Sequence, residues 1–385
     1  MNKQQEPRLR FKGFTGAWEE KRLSDVVEIV GGGTPDTNNS AYWGGEIDWY
    51  SPTEIGENVY ANGSIRKITL LGLQKSSAVI LPADRTVLFT SRASIGDMAI
   101  LTKQGATNQG FQSFIVREGL NIYFLYTMGF KIKEYALKNA SGSTFLEISK
   151  TQLLQMESLF PSLTEQTHLG LFFRRLDSQI AESRAVLEKS RQLKKAMLAK
   201  MFPANGEKRP KIRFKGFEGG WKREILKDVV NVFDNLRIPV SENKRTSGNT
   251  PYFGANGIQD YVDGFTHNGE FVLIAEDGAN DLKNYPVQYV NGKCWVNNHA
   301  HVLQGKSEIL NNIFLFSRFQ SMDISQFLVG GGRAKLNGST MLEIEIEFPK
   351  DKKEQTAIGL FFRQLDETIA LQTAEVEKLN QLKKG

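Results

Sequence analysis

The segment TEQTHLGLFFRRLD at residues 164–177 returns as KEQTAIGLFFRQLD at residues 353–366, and this repeat decides how the chain is organised. The offset between the two copies is 189 residues (360 − 171). The match extends to the segment QLKK at residues 192–195, which returns at residues 381–384. Strong helix-forming residues dominate both copies. A duplicated sequence of this kind predicts two related long helices in one chain.

A second repeat precedes each of these helical segments. The segment RFKGF at residues 10–14 returns at residues 213–217, and Trp18 returns as Trp221, an offset of 203 residues (221 − 18). The two offsets differ by 14 residues (203 − 189), so the second copy is shorter between its matched segments. The chain therefore has the plan A–B–A′–B′, in which A is a globular block and B is a helix.

The interiors of the two globular blocks differ, although the segments around them match. Residues 31–121 and residues 234–311 share few identities. Gene duplication that kept a scaffold and changed its specificity predicts this pattern, whereas drift without functional divergence is the alternative. The predicted domains are a first block at 1–160, a first helix at 161–205, a second block at 206–348 and a second helix at 349–385.

Apolar or small residues recur along each helical segment in alternating steps of four and three, the heptad pattern of helices that pair. The first copy has Leu169, Phe173, Leu176, Ile180, Ser183, Leu187 and Ser190. The second copy has Ile358, Phe362, Leu365, Ile369, Gln372, Val376 and Leu379. We expect an antiparallel pair with the globular blocks at opposite ends, and we expect the same residues to dock a partner. The alternative is that each helix packs on its own block.

Length and composition indicate a folded chain of two or three domains. The chain has 385 residues, of which 40% are hydrophobic and 24% are charged, and its formal net charge is +6. A single cysteine, Cys294, excludes an internal disulfide and a thiolate zinc cluster and is typical of a reducing compartment. Residues 1–12 are polar and basic, without the apolar stretch of a signal peptide. We therefore expect a cytoplasmic protein without a membrane span.

The globular blocks contain short apolar runs separated by Gly, Pro and Asn, as is typical of β-strands. In the first block the predicted strands are 26–30, 78–81, 86–90, 98–101 and 111–116, followed by a helix at 121–138. In the second block they are 271–275, 287–290, 294–296 and 301–303, followed by a helix at 309–327. The glycine runs 31–33 and 330–332 predict tight turns beside a phosphate or, more commonly, a neighbouring strand. The predicted fold class is α+β: two mixed α/β domains, a pair of long antiparallel coiled-coil helices and a pseudo-twofold internal repeat.

Motifs for common catalytic chemistry do not occur in the sequence. It lacks the phosphate-binding pattern G-x-x-x-x-G-K-[ST] and a nucleophile elbow. His299 and His301 could share one strand face, but the sequence nearby offers no third or fourth metal ligand at suitable spacing. We therefore expect polar strand residues or DNA contacts there, no bound metal, and no catalysis by this chain alone.

Polar loops in both blocks provide side chains of the types that contact base edges and phosphates. Bases are recognised by Arg, Lys, Asn, Gln, Ser and Thr side chains, and other Lys and Arg side chains hold the phosphates. The predicted DNA-binding residues are Lys75, Ser91, Arg92, Ser94, Asn108, Gln109, Tyr252, Asn256, Gln259, Asn297, Asn298, His299, Arg333 and Lys335. A polar loop between strands is usually only a loop, but two such sets on a duplicated frame favour a binding role.

Taken together, these segments resemble the specificity (S) subunit of Type I restriction-modification systems. The resemblance is strongest in RFKGF at 10–14, LFFRRLD at 171–177, VLFTSRASIGDMAI at 87–100 and KCWVNNHAHVL at 293–303. It implies that each globular block is a target recognition domain for one half of a bipartite, asymmetric site in double-stranded DNA. It also implies that the helices set the gap between the halves and dock two modification subunits.

The same resemblance implies that other subunits hold the catalytic groups. Modification subunits would bind S-adenosylmethionine and methylate adenine, and restriction subunits would use ATP and Mg, so no cofactor is expected in this chain. Two alternatives are a helical scaffold whose blocks bind proteins, and a hydrolase or nuclease that acts alone. The second helical copy stops at Gly385, before the counterpart of Phe202, so we expect its last turns to be trimmed.

Overall fold

The structure is a computed structural model that describes residues 6–142, 146–204, 206–330 and 334–384. The chain divides into two compact units. The first comprises residues 1–182 together with residues 379–385, and the second comprises residues 183–378. Each unit therefore contains one globular block, the beginning of the long helix that follows it and the end of the other long helix. Every helix in the described part of the chain is too short or too polar to cross a membrane.

The first unit combines three sheets with short helices. Its strands are β1 (Glu19–Arg22), β2 (Val27–Gly31), β3 (Trp43–Tyr50), β4 (Tyr60–Ala61), β5 (Arg66–Ile68), β6 (Thr86–Phe89), β7 (Met98–Leu101), β8 (Gly105–Thr107), β9 (Gln112–Val116) and β10 (Glu157–Phe160). Its helices are α1 (Leu23–Val26), α2 (Leu70–Gln74), α3 (Ile122–Thr127), α4 (Gly129–Asn139), α5 (Lys150–Leu154) and the beginning of α6 (Leu163–Met201). The main sheet has the order β2-β9-β6-β7-β4, beside the sheets β5-β3-β8 and β1-β10. In the main sheet β4 pairs with β7 in parallel, and the other neighbours are antiparallel.

Both faces of the main sheet are covered in the first unit. Phe89 of β6 and Phe114 of β9 have ring centroids 5.0 Å apart and pack in one cluster with Ile132 of α4. Leu88, the neighbour of Phe89, packs in a different cluster with Tyr50 of β3. Successive side chains of a strand point to opposite faces, so β6 is buried on both. This explains why its sequence is apolar without alternation.

The second unit has a larger main sheet. Its strands are β11 (Lys222–Ile225), β12 (Val230–Val232), β13 (Ser247–Gly254), β14 (Gly257–Val262), β15 (His267–Ala275), β16 (Val287–Val296), β17 (Ala300–Gly305) and β18 (Glu345–Phe348). Its helices are α7 (Leu226–Val229), α8 (Asn312–Gln320), α9 (Gly338–Leu342) and α10 (Lys352–Lys384), whose last residues belong to the first unit. The main sheet has the order β12-β17-β15-β16-β13-β14. Its first four strands correspond in order and pairing to β2-β9-β6-β7 of the first unit.

The repeated segments make the same ion pair in each unit. In the first unit the Arg10 guanidinium donates to both carboxylate oxygens of Glu165, at 2.8 and 2.7 Å. In the second, Arg213 donates to both carboxylate oxygens of Glu354, at 2.6 and 2.7 Å. The glutamates are only 2% and 1% exposed. A buried carboxylate needs a partner. The ion pair therefore explains why both the RFKGF segment and the glutamate of the following helix are repeated.

A glutamine next to each buried glutamate joins the long helix to a short one. Gln166 accepts a hydrogen bond from the Asn121 backbone N–H at 2.9 Å, and Gln355 accepts one from Asn311 N–H at 2.8 Å. Each asparagine side chain in turn caps a helix, α3 in the first unit and α8 in the second. The beginnings of α6 and α10 are therefore fixed to their blocks by equivalent residues.

The two long helices pair in antiparallel fashion, as predicted. Helix α6 has 39 residues and α10 has 33. In the second unit Phe202, directly after α6, stacks on Phe362 near the beginning of α10 with ring centroids 5.7 Å apart. The predicted α+β fold class with paired helices is confirmed, and the placement of the two blocks at opposite ends stays a prediction.

In each unit, described residues of α6 and α10 form a cross-helix ion pair. In the first unit Lys383 Nζ lies 2.6 Å from Asp177 Oδ1, and in the second Lys194 binds Asp366. The offset of 189 residues makes Asp177 equivalent to Asp366 and Lys194 equivalent to Lys383. The repeat of both residue types is thus explained by the pairing of the helices.

The heptad residues are buried or half-buried within the chain. Leu176, Ile180 and Leu187 are buried, and Leu379, Ile369 and Val376 are half-buried. At the beginning of each helix these residues pack on the core of the block beside it: Leu169, Phe173, Ile358, Phe362 and Leu365. The alternative prediction, that each long helix packs on its own globular block, is therefore also correct for the first turns of α6 and α10. The buried heptad residues have little surface left for a second protein. Docking of a partner by the half-buried ones stays a prediction.

Most predicted strands occur, with changes in length. The strand predicted at 98–101 is β7, and the two runs predicted at 287–290 and 294–296 form the single strand β16. The strand predicted at 78–81 is wrong, because there the described backbone makes an isolated bridge between Leu81 and Gly105. The sequence pattern does not predict β3, whose glycines and charged residues interrupt the apolar alternation.

Candidate nucleic-acid interface

In the first unit several predicted residues meet at one edge of the main sheet. The Ser91 backbone N–H after β6 donates to Gly110 O at 2.8 Å, and Asn108 N–H after β8 donates to Tyr50 O at 3.0 Å. The Ile148 backbone N–H donates to Ser91 O at 3.0 Å. We call the segments 33–34, 50–52, 91–96, 107–110 and 147–148 the first loop edge. Hydrogen bonds between backbone groups of these loops hold the first loop edge together.

The side chains of the first loop edge include amide, hydroxyl and guanidinium groups. Ser94 and Gln109 are exposed, and Arg92 and Asn108 are half-buried. Asn108 accepts the Gly110 N–H at 2.8 Å, and the Thr34 hydroxyl donates to Gln109. These groups match the chemistry of base edges, and Gln109 and Arg92 are of the types that make two hydrogen bonds to one base.

The loop 91–96 has a defined shape. The buried Thr90 hydroxyl donates to Ser94 O at 2.5 Å and accepts the Asp97 N–H at 2.9 Å. Ala93 at its tip has φ of 62°, the left-handed region that costs a residue with a Cβ roughly 1–2 kcal/mol. Strained backbone of this kind occurs where the surroundings hold a loop in one conformation.

The glycine run at 31–33 brings backbone close to neighbouring loops. A Cβ on Gly32 would lie 2.1 Å from Asn108 O, and one on Gly33 would lie 2.3 Å from Ser77 Oγ. The glycines therefore allow close packing against protein, the commoner of the two expectations. Lys75 is exposed at the end of α2, two residues before Ser77. Of the run at 330–332, residues 331 and 332 lie outside the described residues.

In the second unit the predicted residues also meet at one edge of the main sheet. Asn256 Nδ2 donates to Gly278 O at 2.9 Å, and Asn256 Oδ1 accepts the Asn280 N–H at 2.9 Å. The Glu276 N–H after β15 donates to His299 O at 2.8 Å. We call the segments 254–259, 276–280, 297–299 and 334–336 the second loop edge. The bond from Glu276 to His299 is the counterpart of the bond from Ser91 to Gly110.

The second loop edge exposes mainly amide groups. Asn256, Gln259, Asn298 and His299 are exposed. Lys335 is half-buried, and its ammonium group lies 2.9 Å from a carboxylate oxygen of Glu276. Arg333 lies outside the described residues.

Three predicted contact residues are buried, so their prediction as base contacts needs correction. Ser91 and Tyr252 are 0% and 1% exposed, and Asn297 is 4% exposed. The Tyr252 hydroxyl lies between the backbone N–H and O of Val240, at 2.9 and 3.2 Å. Asn297 Oδ1 accepts the His299 N–H at 2.8 Å. These buried side chains lie beneath the loops and support them. Residue type alone could not distinguish such a supporting role from a direct contact with DNA.

A cluster of charged residues lies beneath the second loop edge. It consists of Asp234, Arg237, Glu276, His301 and Lys335. The sequence predictions included Lys335 as a DNA contact and considered His301, but they missed Asp234, Arg237 and Glu276. Arg237 Nη1 lies 2.7 Å from a Glu276 oxygen, and His301 Nδ1 lies 2.6 Å from Asp234 Oδ2. Asp234, Glu276 and His301 lie close enough together to hold a metal ion. In this arrangement Arg237 and Lys335 already provide positive charge to the carboxylates, and we assign no metal there.

Comparison with known proteins gives one consistent family. The profile of the Type I restriction modification DNA specificity domain matches residues 16–189 and again residues 218–381. A type I restriction enzyme specificity subunit of Methanocaldococcus jannaschii is 29% identical over 328 residues, which cover 78% of this chain and 74% of that protein. A putative specificity subunit of Haemophilus influenzae is 52% identical over 134 residues, which cover 35% of this chain and 34% of that protein.

A solved structure shares the fold at low sequence identity. The S subunit of a Type I restriction-modification system from M. genitalium matches with a TM-score of 0.70 at 14% identity, over 98% of this chain and 96% of that chain. The family match favours DNA recognition over the alternative of a protein-binding scaffold. Because the two profile matches together cover most of the sequence, the chain belongs to the family of Type I restriction-modification DNA specificity subunits.

Proposed function

We propose that each globular block recognises one half of a bipartite, asymmetric site in double-stranded DNA. The observation that supports this most directly is the meeting, in each unit, of separate loops with exposed amide groups at one sheet edge. Bases are distinguished by such groups in the major groove. The equivalent frames with different edges fit two domains that recognise different sequences.

The paired helices would set the distance between the two halves. Antiparallel pairing of α6 and α10 fits an arrangement with the blocks at opposite ends. Half-sites about one helical turn apart, roughly 34–36 Å, are on the scale that helices of this length can span.

Modification subunits would dock on the exposed faces of these helices rather than on the buried heptad residues. Leu171 and its repeat Leu360 are 38% and 42% exposed, and Leu193 and its repeat Leu382 are 46% and 59% exposed. Exposed leucines at equivalent positions fit two copies of one partner. Leu360→Glu and Leu171→Glu should each weaken assembly with the modification subunit, whereas the exposed control Gln364→Glu should not. Full assembly of both leucine variants would contradict this docking surface.

The remaining parts of the proposal concern the complex. This chain would be non-catalytic and cytoplasmic and would bind no cofactor. Two modification subunits would supply S-adenosylmethionine, and restriction subunits would supply the sites for ATP and Mg.

The proposal is tested by the methylated sequence in cells that contain this chain and its modification subunit. Replacing residues 10–158 with the same block of another family member should change one half of the methylated sequence and leave the other half unchanged. A change in both halves, or in neither, would contradict the proposal that each block recognises one half of the site. Turnover by the purified chain alone would contradict the non-catalytic role.

A further inference from the structure

Both ring nitrogens of His301 face hydrogen-bond acceptors. Nδ1 lies 2.6 Å from the Asp234 carboxylate, and Nε2 lies 2.9 Å from the carbonyl oxygen of Leu336. A backbone carbonyl can only accept, and so can an ionised carboxylate, so each ring nitrogen must hold a proton. The side chain is 3% exposed, so water does not replace either partner. The geometry therefore requires an imidazolium ion.

The charges around this ion alternate in sign. Asp234 and Glu276 face it, with Glu276 Oε2 at 3.8 Å from Nδ1. Arg237 lies 2.7 Å from the same Glu276 Oε2, and Lys335 lies 2.9 Å from Oε1. Burial alone would lower the pKa of His301, but the bonds to Asp234 and Leu336 and the nearby carboxylates raise it above its ordinary value. Burial lowers the pKa of the neighbouring His267, which contacts the Thr266 hydroxyl and Phe233 O.

The ion connects three segments at the second loop edge. Asp234 accepts the Val302 N–H at 2.7 Å and so fixes the segment after β12 to β17. The Leu336 N–H donates to Glu276 O at 2.7 Å, which fixes residues 334–336 to the loop after β15. That loop holds Asn256 through Gly278. The position of the exposed amides therefore depends on the segments that His301 joins.

We propose that His301, as a buried imidazolium, is a positioning residue for DNA recognition by the second block. This inference rests on the proposal that the second loop edge contacts DNA. A neutral ring can donate only one hydrogen bond, so loss of the proton releases either Asp234 or Leu336. DNA binding through the second half-site then weakens as the pH rises, whereas the first half-site is unaffected.

The first unit has different residues at the equivalent positions. The pairing of Thr90 with Phe111 corresponds to that of Ala275 with Ala300, so Gln112 takes the place of His301. Gln112 does not titrate. The first loop edge is therefore an internal control for the second.

The experiment uses the complex of this chain with its modification subunit and duplexes containing the methylated sequence. Affinity is measured at constant ionic strength from about pH 6, near the ordinary pKa of histidine, to about pH 9. For the intact duplex we expect a loss of about tenfold as His301 is deprotonated, the scale of one charge-assisted hydrogen bond. A duplex with a scrambled second half should show no such loss.

Asp234→Asn separates positioning from mere packing. The asparagine Oδ1 can still accept the Val302 N–H, and its Nδ2 can donate to Nδ1 of a neutral His301, whose Nε2–H keeps Leu336. The affinity of this variant for the intact duplex should not change with pH. The affinity of His301→Gln should also be independent of pH, but it should be weak. A flat wild-type profile, or an Asp234→Asn profile as steep as wild type, would overturn the inference. If scrambling the second half changes affinity at no pH, the proposed function itself fails.

Discussion

The two loop edges occupy equivalent places on equivalent sheets but are held by different interactions. In the first, backbone bonds between loops and the Thr90 hydroxyl define the loop 91–96. In the second, the charged cluster of Asp234, Arg237, Glu276, His301 and Lys335 joins the loops. The backbone bond from Ser91 to Gly110 and that from Glu276 to His299 show that the positions correspond.

This difference explains why the frames of the duplicated blocks match while their interiors do not. The frame residues, such as Arg10 with Glu165 and Arg213 with Glu354, bind a partner that is repeated in the other copy. At the edges, a charge introduced at one position needs compensating charges at others, so the residues of one cluster change together. A loop edge can therefore acquire new side chains only with a new set of supports.

The largest expected effect concerns the frame, where the two units should respond alike. Arg213→Ala leaves the Glu354 carboxylate buried without a partner, which should cost about 3–5 kcal/mol of stability. Arg10→Ala should destabilise the first unit in the same way through Glu165. Chemical denaturation of the chain, followed by near-UV circular dichroism, measures both.

Glu354→Gln in the Arg213→Ala background is the matched control. It removes the unpaired charge and should restore part of the lost stability. If Arg213→Ala were as stable as wild type, the equivalence of the two frames would lose its energetic basis.

The next effect concerns base recognition, where the units should respond separately. Gln109→Ala should relax the first half of the methylated sequence, and Gln259→Ala should relax the second half. Loss of a two-bond contact to a base should reduce discrimination by about 1–3 kcal/mol. Sequencing of methylated genomic DNA from cells with each variant measures the change. Relaxation of the same half by both variants would contradict the separate roles.

The sequence was sufficient for features that depend on periodicity or on repetition. The heptad steps from Leu169 to Ser190 and from Ile358 to Leu379 predict the paired helices, because burial of one helix face selects apolar residues at that spacing. The repeat of Asp177 and Lys194 as Asp366 and Lys383 marks the cross-helix ion pairs. Strand β7 is predicted because four consecutive apolar residues are bounded by polar ones.

Features that depend on contacts between distant segments could not be predicted. His301 and Asp234 are 67 residues apart in the sequence, and spacing within one strand cannot show that the chain brings them together. Burial of Tyr252 and Ser91 was missed for the same reason, because both residue types also occur at DNA contacts. Joint occurrence of a histidine at position 301 and an acidic residue at position 234 in related sequences would be the signal.

A smaller effect should distinguish the two cross-helix ion pairs. Asp177 is 7% exposed and also accepts the Tyr123 hydroxyl at 2.8 Å, whereas Asp366 is 32% exposed. Asp177→Asn should therefore cost about 1–3 kcal/mol, as for a buried charged hydrogen bond. Asp366→Asn should cost about 0–1 kcal/mol, as for an exposed pair. Thermal unfolding at two salt concentrations measures both, and equal costs would contradict the asymmetry.

The smallest effect concerns one backbone position of the two loop edges. Ala93 has φ of 62° and its counterpart Gly278 has φ of 71°, so the same left-handed turn is made by alanine in one unit and by glycine in the other. The space around Gly278 is open to a Cβ. Gly278→Ala adds backbone strain of about 1–2 kcal/mol but removes freedom of the unfolded chain worth about 0.5–1 kcal/mol, so its net cost should be about 1 kcal/mol. Ala93→Gly removes that strain but gains freedom in the unfolded chain worth about 0.5–1 kcal/mol, so its net stabilisation should be about 1 kcal/mol or less. Opposite signs of the two shifts in melting temperature are expected. Equal signs would show that the two turns are not equivalent, and the correspondence between the edges would then have to be redrawn.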